Sequence, residues 1–192
     1  LLQEIPKKDP ILKDYEFMES DFAGTRPFEL SLTIKDSNTS HFSLAHMKRV
    51  EAIETFLKDS CGVGYIISPL ALFRGANKAF TGGDNSNFKL PETEAAVARY
   101  YQAIKQTEFA DELQNYMSPD GRQLRISGRL PNLTLQEFHR IRVKIDAFFS
   151  HEQYAASFDY KLTGSAVLLD KVAYSLTENL FSGILIDAVV IS

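Results

Sequence analysis

The sequence predicts an α+β domain in which a strand, helix, strand order occurs twice. Three observations carry that prediction. Residues 28–35, FELSLTIK, alternate apolar and polar side chains as a half-buried strand does, and residues 122–130, RQLRISGRL, repeat the pattern. Each run is followed by a segment with apolar residues at helical spacing, and each of those by a second short strand, 63–68 and then 158–162. Two such split units form a four-stranded antiparallel sheet with both helices on one face, the ferredoxin-like arrangement. The chain then divides into a linker and helix at 1–24, an α+β domain at 25–165 with a helical insertion at 69–120, and a C-terminal helix at 166–192.

The elements follow in order. Asp9 and Pro10 stand where an N-cap and first helical residue belong, Leu12, Tyr15, Met18 and Phe22 give one apolar face, and Gly24 closes the helix. Strand 28–35 turns Phe28, Leu30, Leu32 and Ile34 to one side. Ser43 caps the next helix, whose face is Leu44, Met47, Val50, Ile53 and Phe56-Leu57; residues 59–63 read as a turn. VGYIIS at 63–68 is apolar enough for an inner strand and stops at Pro69.

The insertion breaks this rhythm with a helix from Pro69, a loop of turn residues at 81–87, a helix from Pro91 and a third helix at 109–117; Ser118-Pro119-Asp120-Gly121 then turns the chain. After the strand at 122–130, Thr134 with Glu137 forms a capping box, and Leu133 with Phe138 a hydrophobic staple. Phe158, Tyr160 and Leu162 alternate in the closing strand, and a Thr163-Gly164-Ser165 turn leads to a helix marked by Leu168, Leu169, Val172, Leu176, Leu180 and Ile184. From Leu180 to Ser192 that helix is nearly all apolar apart from Asp187, read as a helix-surface residue. The run is shorter than the roughly 20 residues that span a bilayer, so it reads as a helix heading toward a membrane. The start at Leu1 without methionine fits an excised segment.

The 192 residues, 44% hydrophobic and 24% charged, suffice for a sizeable core. A net charge of −4 and a pI near 5.6 argue against nucleic acid as a partner, because phosphates require an excess of Lys and Arg. The single cysteine, Cys61, has no internal partner and reads as a small buried hydrophobe.

Catalytic and ligand chemistry is sparse. His41, His46, His139 and His151 fall on different elements without ligand spacing, so no metal site is expected. The run from Gly82 to Asn87 resembles the start of a calcium loop, yet Ala95 stands where its terminal glutamate belongs. Gly62-Val63-Gly64 precedes a strand, the wrong context for a dinucleotide fingerprint, and neither a P-loop nor a G-x-S-x-G elbow occurs. Glu92 with Glu94, and Asp111 with Glu112, sit at helix starts where carboxylates serve the helix dipole. No cofactor and no enzymatic activity is expected.

The segment YKLTGSAVLLDK at 160–171, a strand running through a T-G turn into a long helix, is similar to the end of the extracytoplasmic loop in exporters of the resistance-nodulation-division superfamily, especially the MMPL-like branch. Three further features fit in order and spacing. They are Glu4-Ile5-Pro6 through Asp21-Phe22-Ala23-Gly24 before the first strand, V-x-Y-I-I-S-P-L-A-L-F at 63–73, and a capped helix after the third strand. The resemblance implies a porter-like domain on the extracytoplasmic, periplasmic side of the bacterial cytoplasmic membrane. Its partners would be the membrane helices and second extracytoplasmic loop of a parent transporter. Its cargo would be hydrophobic or lipid-like, moved outward by the proton gradient, with the proton-relay residues in membrane helices outside this chain. The insertion would then contribute Phe73, Phe80, Tyr100 and Tyr101 as an aromatic lining of the substrate path, core packing being the other role open to each. The competing expectation is a free-standing, cytoplasmic ferredoxin-like module that binds a small ligand or a regulatory partner.

Overall fold

A computed structural model describes residues 9–35 and 42–164, together with residues 172 and 175. Four strands form one antiparallel sheet: β1 (Arg26–Ile34), β2 (Gly64–Ile67), β3 (Gln123–Leu130) and β4 (Phe158–Thr163), in the spatial order β2-β3-β1-β4. This is the ferredoxin-like arrangement of two split βαβ units. The crossover helices are α2 (Leu44–Cys61) between β1 and β2 and α6 (Leu135–Ser150) between β3 and β4. Helix α1 (Pro10–Asp21) precedes the sheet, and the insertion between β2 and β3 holds α3 (Leu70–Phe80), a 3-10 turn (Asn85–Asn87), α4 (Glu94–Lys105) and α5 (Ala110–Tyr116).

Period-two alternation decides which face of the sheet is covered. Phe28, Leu30, Leu32 and Ile34 of β1 are all buried, and on the same face Leu30 stands between Ile126 and Leu162 and Leu32 between Leu124 and Tyr160. Against this face pack Met47, Val50, Ile53 and Leu57 of α2 and Phe138, Ile141, Ile145 and Phe149 of α6. Phe56 of α2 and Phe148 of α6 stack with ring centroids 4.0 Å apart. Gly128 faces Phe28 across the β1–β3 ladder because a Cβ there would meet the Val63 side chain at 2.5 Å.

The helix boundaries are set by chemistry near the chain. The expected capping box of Thr134 with Glu137 forms on α6, and Ser43, expected as a simple N-cap, forms a second one with His46 on α2. Residues 59–61 belong to the last turn of α2, not to a turn outside it, and Gly62 ends the helix with φ of 69°. Helix α4 starts at Glu94, capped by the Thr93 hydroxyl, three residues beyond Pro91. A short helix, α7 (Glu152–Ala155), precedes β4 where the sequence suggested only a connection, and it buries Tyr154 against Phe148.

One strand differs in position from its sequence reading. VGYIIS supplies an edge strand, since β2 pairs only with β3, through a register shift between Gly64 and Ile67. Tyr65 and Ile67 consequently point to the open face and are exposed. The linker at 1–8 and most of the helix expected after 165 lie outside the described residues. No helix among the described residues is long and apolar enough to cross a membrane.

Leu32 lies at the centre of the core with no solvent exposure. Leu32→Ala is expected to lower unfolding free energy in urea by about 2–5 kcal/mol. Thr134→Ala, which removes a cap from an exposed helix start, is expected to cost about 1 kcal/mol.

Candidate functional site

The four aromatics of the insertion do not share one cavity. Phe73 and Tyr100 are buried: Phe73 packs 5.8 Å from the ring of Phe42, and the Tyr100 hydroxyl donates to Asn77 Oδ1 at 3.1 Å. Asn77 in turn donates to the Asn87 carbonyl at 3.0 Å, so one buried amide fastens α3, α4 and the 3-10 turn together. Phe80 is 51% exposed and lies flat on Tyr100 at 5.1 Å, with the Arg99 guanidinium 4.9 Å from its ring centre. Tyr101 is half-buried and donates to the Pro119 carbonyl at 3.4 Å, away from the Phe80 stack. Of the four, Phe80 and Tyr101 reach solvent, while Phe73 and Tyr100 hold the insertion together.

The insertion is anchored to α2 by charge. Arg74 of α3 pairs with Glu54 at 2.8 Å and Glu51 at 3.0 Å on α2, and Ser68 donates to the same Glu54. Burial alone would lower the Arg74 pKa, but the two carboxylates outweigh it and raise the value further. Glu94 serves a helix dipole as expected, though of a neighbouring helix as well as its own: its carboxylate accepts the Leu44 N–H at the start of α2. The calcium-like run is an Asx turn, with the Asp84 carboxylate accepting the Ser86 N–H at 2.7 Å. Among the described residues no three His, Cys, Asp or Glu side chains are grouped to hold a metal.

The open face of the sheet is the other candidate. Its central feature is Glu29 of β1, which accepts two hydrogen bonds from Arg125 (2.6 and 2.9 Å) and one from the Ser127 hydroxyl (2.8 Å). Burial would raise the Glu29 pKa; the hydrogen bonds from Arg125 and Ser127 prevail and hold it below the ordinary carboxylate value. Beside this cluster, a 360 Å³ depression runs between β1, β3 and the end of α5, lined by Ser31, Gln123, Arg125 and Tyr116. At the β2 end of the same face a smaller crevice is walled by Phe22, Tyr65 and Ile67.

No protein-family model and no curated protein matches this chain. The residues themselves therefore carry the reading. The Ser43 hydroxyl lies 2.9 Å from His46 Nδ1, a contact that belongs to the cap of α2. Cys61 is buried, and burial pushes its thiol up to about 11 despite the Lys144 ammonium nearby. What the surface presents is exposed aromatic and charged side chains. The crevice residues were missed in the sequence because an apolar run such as Gly64 to Ile67 reads alike as an inner or an edge strand. The one available signal was a tyrosine alternating with glycine and isoleucine.

Two measurements follow from these placements. Phe73→Ala is expected to destabilise the domain by about 3–5 kcal/mol, and Phe80→Ala by about 1 kcal/mol or less, in urea unfolding. Because the folded pKa of Glu29 lies below its unfolded value of about 4.3, its contribution to stability is complete above that value and is lost as pH falls through the folded one. Glu29→Gln is thus expected to show a smaller drop in stability between about pH 7 and pH 3 than the unsubstituted chain; an equal drop would contradict the assignment.

Proposed function

We propose that this chain forms a porter-like domain of a larger proton-driven exporter of hydrophobic or lipid-like cargo, on the extracytoplasmic side of the bacterial cytoplasmic membrane. The observation that supports the reading is where the chain enters and leaves the sheet. Strands β1 and β4 are antiparallel neighbours with Glu29 opposite Thr163, so the chain enters β1 and leaves β4 at the same end of the sheet. Neighbouring strands lie about 4.8 Å apart, and packed helices about 8–10 Å apart. A domain tethered in this way fits between two consecutive membrane helices without spreading them. The T-G turn after β4 and the helix, Ala23-Gly24, strand order before β1 are the features that resemble the exporter loops.

In this role the domain works as a body. Two split βαβ units sharing one core move together, and cargo passes along surfaces that the domain presents to the other loop of the parent. Phe80 and Tyr101, the two insertion aromatics that reach solvent, stay candidates for that path; Phe73 and Tyr100 act on it through the shape of the insertion. The proton relay belongs to the membrane helices.

A cysteine at position 143 tests the location. Val143 lies exposed on α6, while the native thiol of Cys61 is buried. In the full-length parent, Val143→Cys is expected to react with a membrane-impermeant maleimide in intact cells stripped of any outer envelope. Reaction only after lysis would place the domain in the cytoplasm and favour the free-standing binding module.

A further inference from the structure

The crevice at the β2 end of the open face combines three properties that a merely exposed surface does not share. Its wall is aromatic. The rings of Phe22 and Tyr65 lie 6.4 Å apart and nearly parallel, Phe17 meets Phe22 edge-on at 5.6 Å, and Ile67 continues the apolar surface. These side chains remain open to solvent, Tyr65 by 57% and Ile67 by 45%.

The second property is a strained backbone. Tyr65 has a φ of 47°, a left-handed value that non-glycine residues rarely adopt. Its hydroxyl donates to the Asp21 carbonyl at 3.1 Å, which pins the ring beside Phe22 at the end of α1. Strain at an aromatic that stays exposed brings no burial in return within the domain.

The third is a cation without a partner. Arg129 lines the crevice, and unlike Arg125, held by Glu29, it has no carboxylate or other side-chain partner among the described residues. A guanidinium beside an apolar wall selects a ligand with an apolar body and an anionic end. The crevice volume, about 250 Å³, falls below the roughly 300–1,000 Å³ of pockets that enclose larger ligands, so it suits one acyl chain better than two.

We infer that this crevice binds a single-chain anionic amphiphile, a free long-chain carboxylate, with its chain against Phe22, Tyr65 and Ile67 and its carboxylate on Arg129. The physiological meaning, that such a molecule is the cargo, rests on the exporter reading; the binding itself does not.

Isothermal titration of the 192-residue chain with dodecanoate below its micelle concentration tests the site. Neutral dodecyl maltoside and phosphatidylglycerol vesicles serve as parallel titrants. Dodecanoate is expected to bind at one site and the maltoside about tenfold more weakly, with Arg129→Gln weakening dodecanoate by about tenfold. Ile67→Asp, at an exposed edge position that leaves the core intact, is expected to abolish binding. The proposal is overturned if dodecanoate does not bind, if it binds Arg129→Gln as well as the parent, or if only the vesicles bind, which would make the patch a membrane contact. Maleimide labelling at position 143 reads a different quantity. Cytoplasmic labelling with dodecanoate binding intact discards the exporter and keeps the site, and extracytoplasmic labelling without binding does the reverse.

Discussion

Strand β1 is hydrogen-bonded along both edges, to β3 and to β4, and the apolar side chains it turns toward the helices, Phe28, Leu30, Leu32 and Ile34, are all buried. That double constraint sets the rest of the domain. A slip of one residue against either neighbour would drive Glu29, Ser31 and Thr33 into the core and lift Phe28, Leu30, Leu32 and Ile34 into water. With β1 fixed, β3 and β4 have one register each, and α2 and α6 have a single apolar surface on which to lie. The same pairing puts the start of β1 and the end of β4 side by side.

The two faces of the sheet are therefore unequal. One is closed by α2 and α6, which bury Phe28, Leu30, Leu32 and Ile34 of β1. The other stays open and carries the polar rows Ser127, Glu29, Thr163 and Arg125, Ser31, Lys161. At its centre stand the charge-assisted hydrogen bonds of Glu29, which acid weakens. Arg74 ties α3 of the insertion to α2 on the helical side of the sheet, while the end of α5 borders the open face beside Glu29. Recognition then has room at the β2 end, where Tyr65 is held strained and exposed.

Most of the architecture was legible in the sequence because alternation and helical spacing are strong in β1, β3, α2 and α6, and Thr134 and Glu137 mark a helix start without ambiguity. The edge position of β2 was not legible. Four residues are too short for the pattern to distinguish an inner strand from an edge, and the difference lies in which strand pairs with β3. The start of α4 was misplaced because Pro91 is a good first helical residue, whereas the hydroxyl of Thr93 supplies the cap. Spacing placed Phe73 and Phe80 on one insertion helix and Tyr100 and Tyr101 on the next, but it could not separate Tyr100, whose hydroxyl finds Asn77, from Phe80, which stacks on it and stays half in solvent. The crevice formed by Phe22, Tyr65, Ile67 and Arg129 joins α1, β2 and β3, and no local pattern brings those three together.

The extracytoplasmic reading turns most directly on the native polypeptide on either side of these residues, read from its messenger RNA together with intact mass from the source cell. Apolar spans of about 20 residues just before Leu1 and continuing past Ser192 are the predicted result. A native polypeptide that begins and ends near these residues would contradict it and leave a free-standing ferredoxin-like binding module.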